Sequence, residues 1–362
     1  MRRPVFRTSP ASALALFERA HHVHLAATTP EGAPVSKTLH TVIDEGALVF
    51  HAAPVGEKME VVGREAVVTA VEVVAQIPSW FLDAERACPA TTLYRSVQAH
   101  GTVFEIEDPE RKARALRSLL ARFQPEGGFV PLEAESPLYR KVLAGLFVGG
   151  VRLDRVDGKA KLMQHKSPRD RARVLEALFR RGDPGDCEAI EAIREASPED
   201  VAPAFLRGPA GTAFSLAPTA ADASAVAALL AGTYWNDLFD TETLVRAHLG
   251  SSAWIVLRAA DGGVVSSARA ITDGAKHAWV YDVVVAPDLR GAQAGTAIMR
   301  LLLDHPAIRG ARFVHLGTRD AQRFYERLGF VETRSIVRPY TSTAMTLDKA
   351  TPPSRSGGGP GG

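Results

Sequence analysis

A chain of 362 residues has room for about two domains of the usual ~150 residues, so it can bury a sizeable core without a disulfide or metal staple. Its 43 lysines and arginines stand against 41 aspartates and glutamates, and the resulting charge of +2 argues against a nucleic-acid or anionic-membrane partner. A hydrophobic content of 46% with 23% charged residues is ordinary globular composition and argues against disorder over the main body.

The two cysteines, Cys88 and Cys187, lie far apart with no Cys-x-x-Cys spacing, so neither a disulfide framework nor a thiolate metal site is expected, and Cys88 reads as a small buried group. At the N-terminus, Ser9, Pro10, Glu18 and Arg19 interrupt anything like the apolar core of a signal peptide. No uncharged apolar run is long enough to cross a bilayer, and the chain reads as soluble and cytoplasmic, with no membrane partner.

From Val23 onward, short apolar runs alternate with turn residues: VHLAAT, PVSKTLHTVI after Pro30-Glu31-Gly32, and ALVFHAA after Asp44-Glu45-Gly46. AVVTAVEVVAQI (66–77) and SVQAHGTVFEI (96–106) extend this meander, which predicts an antiparallel small barrel rather than a parallel sheet. PERKARALRSLLARF (109–123) carries apolar positions at helical spacing, and 147–162 returns to strand character. This first domain is placed at residues 1–166.

Ser167-Pro168 opens a predicted helix, with Ser167 as its cap and Pro168 at the first helical position. Breakers then crowd 183–210 around one short acidic helix, so 167–211 reads as a helical linker. A mixed α/β pattern follows over 212–348. A first strand begins at Thr212, with further strands at 253–259, 263–272, 279–286 and 312–316 and helices at 220–232, 291–304 and 320–328. The tail over 349–362 has almost nothing apolar to bury and reads as disordered. The fold class is therefore α+β in two domains, a split β-barrel with helices followed by a mixed α/β domain.

In YDVVVAPDLRGAQAGTAIMRLLL (281–303) an apolar strand enters a Gly/Ala-rich turn and then a helix. Such a turn aims backbone N–H groups outward at the positive end of the helix dipole, which makes an anion site. Gly291, Ala292, Ala294 and Gly295 let a phosphate approach the backbone, and Arg290 can add a charge-assisted contact. Together with HLGTRDAQRFYERLGF (315–330), this segment resembles the GNAT family of acetyl-CoA-dependent N-acetyltransferases over about 212–347.

The resemblance implies that the pyrophosphate arm of acetyl-CoA rests on Arg290, Gly291, Ala292, Gln293, Ala294, Gly295 and Thr296. Gln293 stands where the family has glycine; if φ must be positive there, it costs up to roughly 3 kcal/mol and weakens or reshapes the loop. The resemblance further implies that Tyr325 protonates the departing CoA sulfur and that the main-chain amide of Val283 or Val285 holds the thioester carbonyl. Asp320 would cap the helix of Tyr325 or lie near the pantetheine arm. Asp282 interrupts an apolar strand and is either the general base or a structural partner of an arginine. The implied acceptor is a small-molecule amine.

The first domain resembles the FMN-binding split β-barrels of the pyridoxamine-phosphate-oxidase-like group, with nitroimidazole-reductase-like and PaiB-like branches. The resemblance rests on the meander at 30–62, on LYRSVQAHGTV and on KAKLMQHKSPRDR. It implies an FMN site at a homodimer interface, with Ser36, Lys37, Thr38, His51, Lys58 and Arg95 as phosphate and flavin contacts. Lys37, which interrupts the alternation of its strand, reads as either outward-facing or a phosphate contact. His21, His22 and His24 cluster at a helix-to-strand junction that cannot aim all three at one metal without strain. Three functions follow: an acetyltransferase fused to a flavin barrel; a flavin-dependent oxidoreductase with a degenerate transferase; and a non-catalytic regulator responsive to flavin or acetyl-CoA.

Overall fold

The computed structural model describes residues 3–335, in two compact units that divide between Leu316 and Gly317. The tail expected to be disordered, and the end of the mixed α/β stretch from residue 336, lie outside the described residues.

The first unit opens with α1 (Pro10–Arg19), where Ser9 Oγ accepts from the Ser12 amide and Pro10 sits in the first turn, where no N–H is needed. There follow β1 (Val23–Thr28), β2 (Pro34–Leu39), β3 (Val42–Asp44), β4 (Ala47–Ala52), β5 (Glu65–Ile77) and β6 (Thr91–Glu105). Then come α2 (Pro109–Phe123), α3 (Arg140–Gly145), β7 (Phe147–Arg152) and β8 (Arg155–Lys161). The strands join in the order β2-β1-β5-β6-β7-β4-β3, with β8 added to β6. Every pairing in this sheet is antiparallel.

The run PVSKTLHTVI, expected as one strand, breaks at His40-Thr41 into β2 and β3, which sit at opposite ends of the pairing order. This connection curls the sheet on itself. Val35 of β2 and Leu48 and Phe50 of β4 share one core with Leu25, Val68, Val97 and Phe147, lidded by Leu16 and Phe17 of α1. Burying such side chains stabilises by about 1.5–3 kcal/mol each before conformational entropy is charged against it. Gly150 permits the close approach of β4 and β7, because a Cβ there would lie 2.7 Å from the Leu48 carbonyl oxygen.

Helices α4 (Pro168–Arg181) and α5 (Asp186–Glu195) follow the barrel. The Ser167 cap accepts from the Asp170 amide, and left-handed Gly182 ends α4. Arg309, from the last part of this unit, donates to the carbonyl oxygens of Phe179 and Arg180 at the end of α4.

The remaining elements of this unit are β9 (Ala213–Ser215), α6 (Ala220–Leu230), α7 (Thr241–Leu249), β10 (Ala253–Arg258), β11 (Val264–Thr272), β12 (His277–Val285), α8 (Ala294–Asp304) and β13 (Phe313–His315). The sheet runs β13-β12-β11-β10-β9, antiparallel except where β12 meets β13. Val226 and Leu230 of α6 and Leu244 of α7 pack on Trp254, Val256 and Val284, and α8 packs on β10, β11 and β12. Sequence reading missed α7, although the Asp240 cap on the Thr243 amide and Gly250 just after its end were visible signals. The second unit contains α9 (Gln322–Glu326). Among the described residues no helix is long and apolar enough to cross a membrane.

Candidate active and cofactor sites

The mixed sheet prepares a cleft in β12 by two irregularities. Ser267 pairs with Val284 and Arg269 with Tyr281, so two residues of β12, Asp282 and Val283, stand opposite Ala268 alone. This is a β-bulge, in which Asp282 takes a left-handed φ of 51°. On the other side, β13 accompanies β12 only from His277 to Trp279. Main-chain groups around Val283 thus lie where β12 is bulged on one edge and past its β13 partner on the other.

Asp282 is buried and fully engaged. Its Oδ2 accepts from Arg269 Nε at 2.6 Å and its Oδ1 from Asn236 Nδ2 at 3.2 Å. Of the two roles considered for it, this is the arginine-paired one: the carboxylate fixes the bulge and ties down the connection between α6 and α7. Sequence reading missed Arg269 and Asn236. A charged residue interrupting β11 as Asp282 interrupts β12 was the available signal. His248 packs beside them against Trp254, with its Nδ1–H donating to the Leu244 carbonyl at 2.7 Å. Burial, countered in part by that hydrogen bond, holds His248 below the usual histidine range.

After β12, a turn over Pro287–Leu289 leads through Arg290 and Gly291 into α8. Gly291 has φ 85° and Gln293 has φ 62°, so the glutamine occupies the left-handed conformation for which the sequence marked it. The helix therefore begins at Ala294 rather than 291, with the Gln293 carbonyl accepting from the Ala297 amide. No side chain caps it, and the first N–H groups, of Ala294, Gly295 and Thr296, open the helix as donors. Arg290 is exposed at the rim and its Nε donates to the Val285 carbonyl at 3.3 Å. Small residues, uncapped amides and a guanidinium fit a pyrophosphate group.

In the second unit, the Tyr325 ring meets Phe324 and Phe330 edge-on at 4.9 and 5.8 Å. The expectation that Asp320 caps this helix is corrected: the helix starts after Ala321, whose amide donates to Thr318 Oγ1, and Asp320 is exposed beside Arg319. Threonine displaces it because its hydroxyl reaches the amide three residues on.

In the barrel, β2 divides its three candidates. Ser36 and Thr38 are on its exposed face, while Lys37 shares the face of buried Val35 and meets Glu57. Lys37 is therefore not outward-facing as one reading had it. Lys58 follows Glu57, and partial burial with the charges of His40 and Lys58 keeps His51 below its usual range. His51 feels the charge of Lys58, and Lys37 is neutralised by Glu57, so among the described residues Lys58 is the cation here left for a phosphate. The structure does not bring Arg95 to it. Arg95 lies on β6, three strands from β2 in the pairing order, bound to Glu72 at 3.5 Å in a separate cleft of about 590 Å³. Cys88, expected buried, is exposed, because it lies in the irregular segment between β5 and β6. His24 Nδ1 shares a hydrogen bond with Thr38 Oγ1, and among the described residues no group of three or more ligands could hold a metal.

Residues 9–160 match the family model described as pyridoxamine 5'-phosphate oxidase, and residues 224–330 match that of the acetyltransferase (GNAT) family. The chain thus joins a pyridoxamine-phosphate-oxidase-like split barrel to a GNAT domain. Among solved structures, it is similar to a putative 5-nitroimidazole antibiotic resistance protein from Bacteroides thetaiotaomicron, with 20% identity over 42% of this chain and 83% of that one, at a TM-score of 0.34. It is also similar to an FAD and heme binding protein from Mycobacterium smegmatis, with 22% identity over 42% of this chain and 72% of the other, at a TM-score of 0.36. A putative GNAT acetyltransferase from Xanthomonas campestris pv. campestris matches with 29% identity over 37% of this chain and 96% of its own, at a TM-score of 0.32. No curated protein matches.

Proposed function

We propose that the GNAT domain transfers an acetyl group from acetyl-CoA to a small-molecule amine and that the barrel holds FMN. The observation carrying this reading is the stretch from the bulge at Asp282 through left-handed Gln293 to the uncapped amides of Ala294, Gly295 and Thr296. Those amides, with Arg290, meet the pyrophosphate charge, and Gly291 and Ala292 leave it room. A main-chain N–H at Val283 or Val285 supports the carbonyl oxygen as negative charge develops on it. The amine nitrogen forms a bond to the carbonyl carbon and loses its proton to solvent, the C–S bond breaks, and Tyr325 gives its phenolic proton to the sulfur and is reprotonated from solvent. Asp282 positions the bulge rather than taking that proton.

In the barrel, Lys58 holds the ribityl phosphate with His51 beside it, and Ser36 and Thr38, on the opposite face of β2 from Lys37, are flavin contacts apart from that phosphate, while Lys37 is engaged by Glu57. When bound, the flavin supplies two-electron transfer. A second copy of the chain completes such a barrel in this reading, in a cytoplasmic homodimer. A flavin-dependent oxidoreductase with an impaired transferase is the second reading, and left-handed Gln293 is the observation that favours it.

The test is a thiol-release assay on the purified chain with acetyl-CoA and a panel of primary amines. Amine-dependent release supports transfer. Flavin binding without acetyl-CoA binding would favour the second reading.

A further inference from the structure

The sheet face beside the bulge carries an unusual set of side chains. Tyr281 and Arg269 are register partners, as are Trp279 and Ile271, so the four stand in two adjacent rows on one face. Ile271, Trp279 and Tyr281 are 48%, 48% and 42% exposed, although each sits inside a regular strand. Tyr281 immediately precedes the bulged Asp282. Its ring is also covered by the Arg269 guanidinium at 5.0 Å, and Trp279 stacks on His315 at 4.4 Å, so both rings are held in place.

The connection between α6 and α7 is pinned to the same bulge by the bond from Asn236 to Asp282, and it exposes Trp235 and Phe239. Trp279 and Tyr281, exposed in adjacent rows of one sheet face, form a surface for a planar or apolar body, and the connection that exposes Trp235 and Phe239 is bonded to the bulge at the end of that surface.

Charge narrows the choice. The Asp282 carboxylate is consumed by Arg269 and Asn236, and Asp240 caps α7. Asp237 is the carboxylate of this connection that has no hydrogen-bond or ion-pair partner among the described residues. One free carboxylate on this connection complements one ammonium and, with Asp240 and Asp282 engaged and Arg269 compensated by Asp282, the connection offers no second one to a polycation.

We infer that the acceptor is a monoamine with an aromatic or bulky apolar body, seated on Trp279 and Tyr281, rather than a polyamine or an aminoglycoside. This inference rests on the acetyltransferase reading for the reaction, but not for the binding.

The experiment measures equilibrium binding of 2-phenylethylamine and of spermidine to the full chain, by ligand-observed NMR, together with acetyl-CoA-dependent turnover of each. The expected result is that 2-phenylethylamine binds at least about tenfold more tightly than spermidine. Trp279→Ala should weaken it by a similar factor and leave acetyl-CoA binding unchanged; removing one large aromatic contact from a binding surface is commonly worth that much. Tyr281→Leu, which keeps apolar bulk but loses the flat ring, provides a second variant with an intact strand. Equal or tighter binding of spermidine, or no effect of either variant, overturns the inference. Binding of 2-phenylethylamine that depends on Trp279, without any turnover, would uphold the surface and count against the transferase reading alone.

Discussion

Replacing Gln293 by glycine isolates the strain at the entrance to α8. A non-glycine residue in the left-handed region costs about 1–2 kcal/mol. The side chain of Gln293 is exposed and makes no cap, so its loss removes nothing that offsets that cost. Glycine gives back about 0.4–1 kcal/mol through the greater freedom of the unfolded chain. The net expectation is a domain more stable by about 0.5–1 kcal/mol, which at about 2–4 °C per kcal/mol is a rise in melting temperature of about 1–4 °C. Differential scanning calorimetry of the full chain measures this, with Gln293→Ala as the control, since alanine occupies the same left-handed position at similar cost. A glycine variant no more stable than the alanine variant would refute the strain argument. Acetyl-CoA affinity should rise or hold in the glycine variant, because the loop keeps its shape at lower cost.

Asp282→Ala leaves Arg269 buried without its partner and is expected to destabilise the GNAT domain by about 3–5 kcal/mol, read by chemical denaturation. If Tyr325 is the general acid, Tyr325→Phe lowers the acetyl-transfer rate while acetyl-CoA binding is kept; an unchanged rate at every pH would remove that role. Lys58→Ala should weaken FMN binding, whereas Arg95→Ala should not, by fluorescence titration of the flavin. Burial, with the nearby charge of Arg309, pushes His305 down to about 4 from its ordinary 6.5. The folded state therefore favours the neutral ring, so its contribution is full above pH 6.5 and is lost as pH falls toward 4. The loss is on the order of 3 kcal/mol, and the pH slope of stability over that window should flatten in His305→Asn.

Much of the fold was legible because local signals agreed with tertiary demands. The helix over 109–123 and the Ser167-Pro168 start of α4 appear at the expected residues, since caps and apolar spacing act over a few residues. The break at His40-Thr41 was not legible, because it serves a pairing between distant ends of the barrel rather than any local preference. At the candidate site, the turn 290–296 could be anticipated from residue type, and the positive φ at Gln293 only from the resemblance, which has glycine at that position. The arginine and asparagine that hold Asp282 could not be anticipated from spacing. They converge from β11 and the connection between α6 and α7, and only the packed sheet brings them together. For the same reason Arg95 was grouped with residues from which the sheet separates it.

The most direct test of the central claim is isothermal titration of the purified chain with acetyl-CoA, alongside a variant with Gly295→Pro that removes one of the amides opening α8. The account predicts saturable binding of one acetyl-CoA per chain that is weakened in the variant. No binding to the natural chain, or equal binding by both, would contradict it.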